Sequence, residues 1–279
     1  MKQNKNVGEG IVAGNASWTF GDVTPQHFNE HVRRSVPLYE NGHELVAKIS
    51  DYFVKPDSTS KKIILFSNKI NTKFHESTAI ATKAGNIIYF TRNNYFENTY
   101  REDVKGVNRL KLFKAVKTED SWDIKELPFN SDEFSVAHPA LSTDEKTLYF
   151  SSDMPGGYGQ SDLYKVAING DEYGVPKNLG KEVNTEGRET FPYVDKSRIF
   201  FSSDGHVGLG GLDVFVSEIT SDGYIGPAFN IGKPINSAQD DFTFILSDDS
   251  KEGYMASNRD NEPGDDDIYI INETGTLIT

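Results

Sequence analysis

The chain has 279 residues, with 29 basic against 42 acidic side chains, a net charge of −13 and no cysteine. That balance argues against nucleic acid and anionic membrane surfaces as partners, since both call for positive patches, and the missing cysteines exclude disulfides and thiol chemistry. No apolar run approaches the ~20 residues of a membrane-spanning helix, so direct membrane insertion is not expected, and the length suits one sizeable core with a small leader.

Residues 1–60 read as a helical leader. The opening MKQNKNVGEGIVAGNASW has no apolar signal-peptide region, from which alone a cytoplasmic chain is expected. Thr24-Pro25 is a helix start for a segment reaching Val32. In HELVAKISDYFV, residues 43–54, Leu45, Val46, Ile49, Tyr52 and Phe53 fall on one helical face. His27 and His31 have a spacing that suits zinc, yet Phe28 stands where a metalloprotease has glutamate and the ligand set is incomplete.

From residue 61 the pattern turns to strands and repeats. Ile63 to Phe66 reads as an outer strand with no unit of its own upstream, because Ser67-Asn68-Lys69-Ile70-Asn71 matches Gly180-Lys181-Glu182-Val183-Asn184 and Gly232-Lys233-Pro234-Ile235-Asn236. The first copy begins NIIYFTRNN at residues 86–94 and resumes as RLKLFKA at 109–115, after an inserted stretch. The second runs HPALSTDEKTLYFSSDMPGGYGQSDLYKV, the third FPYVDKSRIFFSSDGHVGLGGLDVFV and the fourth YMASNRDNEPGDDDIYI. Steps from Phe90 to Phe150, Phe201 and Met255 are 60, 51 and 54 residues, which are propeller-blade periods with one long loop. The intervals Phe150 to Asp162, Phe201 to Asp213 and Met255 to Asp267 are each 12 residues. GGYG is punctuation rather than a phosphate loop, because Leu163, Tyr164 and Val166 after it read as a strand where such a loop needs a helix.

A unit therefore reads as four short antiparallel strands, in the second copy near Val136 to Leu141, Thr147 to Ser151, Asp162 to Val166 and Val175 to Leu179. No unit buries its faces alone, so units must stack around an axis. The expected fold is all-β, a propeller of four-stranded blades over residues 61–279. The ring closes if Ile63 to Phe66 completes the last copy, which stops short of its own outer strand. Four blades result; the alternative is a degenerate fifth formed by residues 10–60.

Taken together, HPALSTDEKTLYFSSD, GGYGQSDLY, NLGKEVNTEGRETFPY, SDGHVGLGGLDVF and DDDIY resemble the WD40-like repeat of TolB-type propellers, in the version found in outer-membrane OmpA-family proteins of Bacteroidetes and in type IX secretion components. The resemblance covers about residues 61–272. It implies a periplasmic or outer-membrane setting. The family's Asp-Gly hairpin is here Asp144-Glu145, so a tight glycine turn is not expected there. Residues 17–56 resemble the lead-in of a class I S-adenosylmethionine-dependent methyltransferase, but the glycine-rich cofactor strand-turn that belongs next is replaced by KKIILFSNKIN, so methyl transfer is not supported.

The candidate residues are the repeat aspartates Asp153, Asp162, Asp204, Asp213 and Asp267. A run such as Asp265-Asp266-Asp267 has the oxygen ligands that Ca²⁺ wants. An aspartate at the mouth of each third strand equally accepts backbone N–H groups and fixes a turn, and recurrence once per blade favours that reading. His138 and His206 are expected to pack or lie at the surface. Glu76, Glu186 and Glu189 near strand starts are candidates for a glycosidase pair, with nothing to select two of them, and Gly-x-Ser-x-Gly is absent. The expected function is non-catalytic binding of a protein or glycan by a monomer, with no cofactor, through loops such as residues 91–108. The runner-up is a carbohydrate-active propeller enzyme.

Overall fold

The computed structural model describes residues 11–14, 17–20, 70–72, 74–247, 251–259 and 266–275. The chain divides into two compact units, Met1–Leu65 and Phe66–Thr279. In the first, β1 (Ile11–Gly14) pairs antiparallel with β2 (Ser17–Phe20). Both predicted leader helices, His27, His31, the strand at 63–66 and all but Ser17–Phe20 of the methyltransferase-like stretch lie outside the described residues.

The second unit is a β-propeller of four antiparallel blades among the described residues. Blade I orders β3 (Glu76–Ala81), β4 (Ile87–Asn93), β7 (Leu110–Lys117) and β8 (Trp122–Glu126), with the hairpin β5 (Tyr95–Phe96) and β6 (Thr99–Tyr100) inserted between its second and third strands. Blade II orders β9 (Val136–Leu141), β10 (Thr147–Ser152), β11 (Asp162–Asn169) and β13 (Lys177–Asn178), while β12 (Glu172–Tyr173) extends the far end of β11. Blade III is β14 (Glu189–Asp195), β15 (Arg198–Ser203), β16 (Asp213–Glu218) and β17 (Phe229–Asn230). Blade IV has three described strands, β18 (Asp241–Leu246), β19 (Glu252–Ser257) and β20 (Asp267–Asn272).

The 12-residue interval becomes one register. Ser152 opposes Asp162, Ser203 opposes Asp213 and Ser257 opposes Asp267. The innermost strands β3, β9, β14 and β18 pack in succession, and the core lies between blades. Leu112 and Tyr89 of blade I meet Leu148, Phe150 and Tyr164 of blade II, Leu163 of blade II meets Ile199 and Phe201 of blade III, and Val214 and Val216 of blade III meet Phe244 and Leu246 of blade IV. Each fully buried Phe or Leu contributes about 1.5–3 kcal/mol. The turn at Asp144-Glu145 has no glycine and is nevertheless tight: Glu145 takes the left-handed conformation, φ 58°, and donates its N–H to the Ser142 carbonyl at 2.8 Å. Lys196 and Lys251 take the same conformation in the corresponding turns of blades III and IV.

Every innermost strand carries a register shift at the same place, at Ser77/Ala79 in blade I and around His138, Phe191 and Thr243 in the others. These last three have φ of 57°, 49° and 52°. Such bulges bend a strand and re-aim a side chain, and here they turn one residue per blade toward the axis.

Candidate functional site

The repeat aspartates join strands to loops. Asp162 is fully buried, and its carboxylate accepts the N–H groups of Tyr158 at 2.7 Å and Gly159 at 3.0 Å and the amide of Asn178 at 2.6 Å. Asp213 does the same with Leu209 N–H and with Asn230 at 3.1 Å. Asp267 has the same register position but is exposed. Asp153 accepts Ser135 N–H at 2.6 Å and Arg109 at 3.1 Å, and Asp204 accepts Arg188 N–H at 2.6 Å, so each ties the end of a second strand to the residue before the innermost one. Asn93 and Asn258 make the corresponding bond in blades I and IV, to His75 and Asp240 N–H. Among the described residues no group of three His, Asp or Glu is placed to hold a metal ion. Asp265 lies outside them.

Blade I breaks the pattern in charge. Lys111 opposes Arg92 where the other blades have aspartate opposite serine, and its ammonium meets Asp132 at 2.5 Å and Glu126 at 3.7 Å. That pair, with Asn94 donating to Asp132 at 2.8 Å, holds the carboxylate of Asp132 below its usual range, chiefly through the Lys111 hydrogen bond.

The glutamates considered for hydrolysis hold the joints between blades. Glu189, fully buried, accepts Thr185 N–H at 2.8 Å, Thr185 hydroxyl at 2.6 Å and Ser203 hydroxyl at 2.7 Å. Glu76 accepts the N–H and hydroxyl of Thr72, and Asp241 accepts Ser237 N–H and Ser257 hydroxyl. Glu186 is exposed. Glu76 and Glu189 occupy the same position of two different blades and do not form a pair.

Sequence reading gave no role to the asparagines of the joints. Asn184 both accepts from Leu163 N–H at 2.8 Å and donates to its carbonyl at 3.0 Å, mimicking a strand. Asn236 does this to Val214 and Asn130 to Leu112. The clue was the recurrence of Asn184 and Asn236 four positions after the Gly of a Gly-Lys pair in two joints, but the partner lies 21 or 22 residues upstream. A second fastener caps the joint carbonyl. His206 donates to Val183 O at 2.7 Å beside the Phe215 ring, Arg259 donates to Ile235 O with its guanidinium 5.0 Å from the Tyr269 ring, and Arg92 donates to Ile70 O at 3.4 Å while lying 4.1 Å from the Phe113 ring.

On the axis, His138 accepts or donates to the Thr78 hydroxyl at 3.0 Å, packs against Phe191 at 4.1 Å, and Phe191 packs against Phe242. Burial pushes the imidazole pKa down to about 4, so it is neutral near pH 7. The axial cavity, about 120 Å³, is lined by segments of all four innermost strands, and its lining includes no carboxylate. Space of that size suits a few waters rather than a sugar ring.

The inserted hairpin is fixed. Glu97 and Asn98 at its tip have φ of 48° and 63°, the signature of a type I′ turn. At its base Asn108 bonds Asn93, Asn94 and Arg101, while Asp103 accepts Lys105 and Val107 N–H and pairs with Arg109, which reaches Asp153 of blade II. The Val107 N–H bond, above all, holds the Asp103 carboxyl below its usual range.

No family model matches the chain, and no curated protein does. Among solved structures, the chain is similar to TolB from Acinetobacter baumannii, at 12% identity over 74% of this chain and 43% of that one, TM-score 0.47. It is also similar to an alpha-L-arabinofuranosidase from Lactobacillus brevis, at 14% identity over 71% of this chain and 73% of that one, TM-score 0.42. A third is prolyl oligopeptidase B from Galerina marginata, at 15% identity over 74% and 27%, TM-score 0.44. The chain thus spans less than half the length of the TolB structure.

Proposed function

We propose that the chain is a non-catalytic binding or scaffold propeller of a bacterial cell envelope, of the OmpA-related kind its repeats resemble, engaging a protein or glycan partner through loops such as residues 91–108, which carry the inserted hairpin. The observation that carries this reading is that the repeat carboxylates, Glu76, Glu189, Asp162, Asp213 and Asp241, are each taken up by N–H, hydroxyl or amide donors of their own joints. A hydrolytic pair needs two carboxyls ~5–9 Å apart across an open cleft, and the axial cavity of about 120 Å³ is lined by none among the described residues. The test is incubation of the full chain with a panel of p-nitrophenyl glycosides, including an α-L-arabinofuranoside and a β-xyloside. The reading expects no release above blank. Release proportional to chain concentration and lost in Glu189→Gln or Glu76→Gln overturns it.

A further inference from the structure

Blade I holds a cleft that the repeat does not require. It measures about 660 Å³ and opens between the inserted hairpin, the start of β8 and the joint before β3, a size typical of small-molecule sites. Tyr95, Trp122, Asn98, Asp123 and Arg92 line it. Phe96 packs against Phe113 at 5.7 Å and anchors the hairpin inward. Tyr95 leans on Phe74 at 4.7 Å, and Tyr100, 44% exposed, stacks on the same ring at 4.8 Å, which extends an aromatic surface along the hairpin. Arg92 replaces the serine of the other blades and is 2% exposed; its Nη1 donates to Ile70 O, while its Nε has no hydrogen-bond partner among the described residues.

We propose, building on the binding reading above, that this cleft is a site for a neutral oligosaccharide. Aromatic rings with a negative face suit the C–H faces of a pyranose. The amide of Asn98, the carboxylate of Asp123 and the guanidinium of Arg92 supply donors and acceptors in the small number that fixes orientation in such pockets. Glu97 joins Asp123 at the cleft, and the chain carries a net charge of −13, so an acidic sugar is disfavoured. The site lies away from the axis, and the inserted hairpin that frames it has no counterpart in the other described blades; that hairpin is pre-ordered, which lowers the cost of binding.

The experiment is calorimetric titration of the full chain with cellohexaose, xylohexaose, mannohexaose, maltohexaose and chitohexaose, with hexagalacturonate and hexalysine as comparators. At least one neutral hexamer should bind saturably with Kd below about 1 mM, and Tyr95→Ala should weaken it at least about tenfold. Asn98→Gly keeps the left-handed turn, so it removes the amide without unfolding the hairpin, and it should weaken binding by a similar factor. Binding of none of the neutral hexamers, preference for hexagalacturonate, binding of hexalysine alone, or neutral binding unchanged in both variants overturns the proposal. Those results, with no glycoside turnover, leave the binding-module reading standing, whereas turnover lost in Glu189→Gln removes that reading instead.

Discussion

At the scale of single residues, the side chains that recur are those that close loops, and their removal has a definite cost. Asp213→Ala should lower stability by ~1–3 kcal/mol in urea denaturation, because it removes the buried carboxylate that accepts the Leu209 N–H and the Asn230 amide and so fixes the loop to its strand. Chelator should leave the wild-type melting temperature unchanged. The opposite sign is expected at Lys251, exposed and held at φ 55°: Lys251→Gly removes a side chain from a conformation glycine adopts freely and should raise stability by up to ~1 kcal/mol. His138 sets a pH dependence. Below pH 6.5 the unfolded chain takes up a proton that the folded chain refuses until about pH 4, so stability falls as pH drops through that window and levels off beneath it, by ~3 kcal/mol in all. His138→Asn, which tolerates the left-handed backbone, should flatten that slope in pH-dependent denaturation. Asp162 and Asp213 were legible because their spacing repeats; Asn184 and Asn236 recur as well, but their role was not legible, because the strand residues they bond, Leu163 and Val214, lie 21 and 22 residues upstream.

Among elements, the glycine-rich loop of blade II shows why composition matters more than motif. Gln160 N–H bonds Gly187 O at 2.8 Å, and a Cβ on Gly159 would stand 2.3 Å from Thr185 O. The glycine is there so that one blade's loop can lie against the joint of the next, and Gly159→Ala should cost ~1–3 kcal/mol as an overpacked contact. In blade I, Asp132 is 42% exposed on its side chain while Lys111 is 4%. Removing the exposed partner leaves the buried ammonium only its longer contact with Glu126 at 3.7 Å, so Asp132→Ala should destabilise by about 2 kcal/mol and Lys111→Met by less than about 1, a difference that parallel denaturant curves resolve. The strands themselves were readable from period-2 alternation, whereas the axial bulges were not. Pro139 and Pro192 were the available signal, since proline inside a strand marks a bulge or an edge.

For the whole molecule, repeat arithmetic yielded four blades and their order, because a blade cannot bury its faces alone and the 12-residue interval maps onto one register. The cleft of blade I stayed illegible, since Tyr95 and Trp122 are 27 residues apart and meet only through the hairpin's fold. What holds the propeller together is a set of side-chain fasteners at matched positions, which commits its polar repeat residues to structure. Native-state hydrogen exchange at the Val214 amide tests that claim most directly, because its acceptor is Asn236 and not a ladder carbonyl. The account predicts that Val214 exchanges as slowly as the central strand β15, and that Asn236→Ala accelerates Val214 while Leu163, held by Asn184, keeps its protection. Rapid exchange of Val214 in the wild type, or no change in Asn236→Ala, would contradict it.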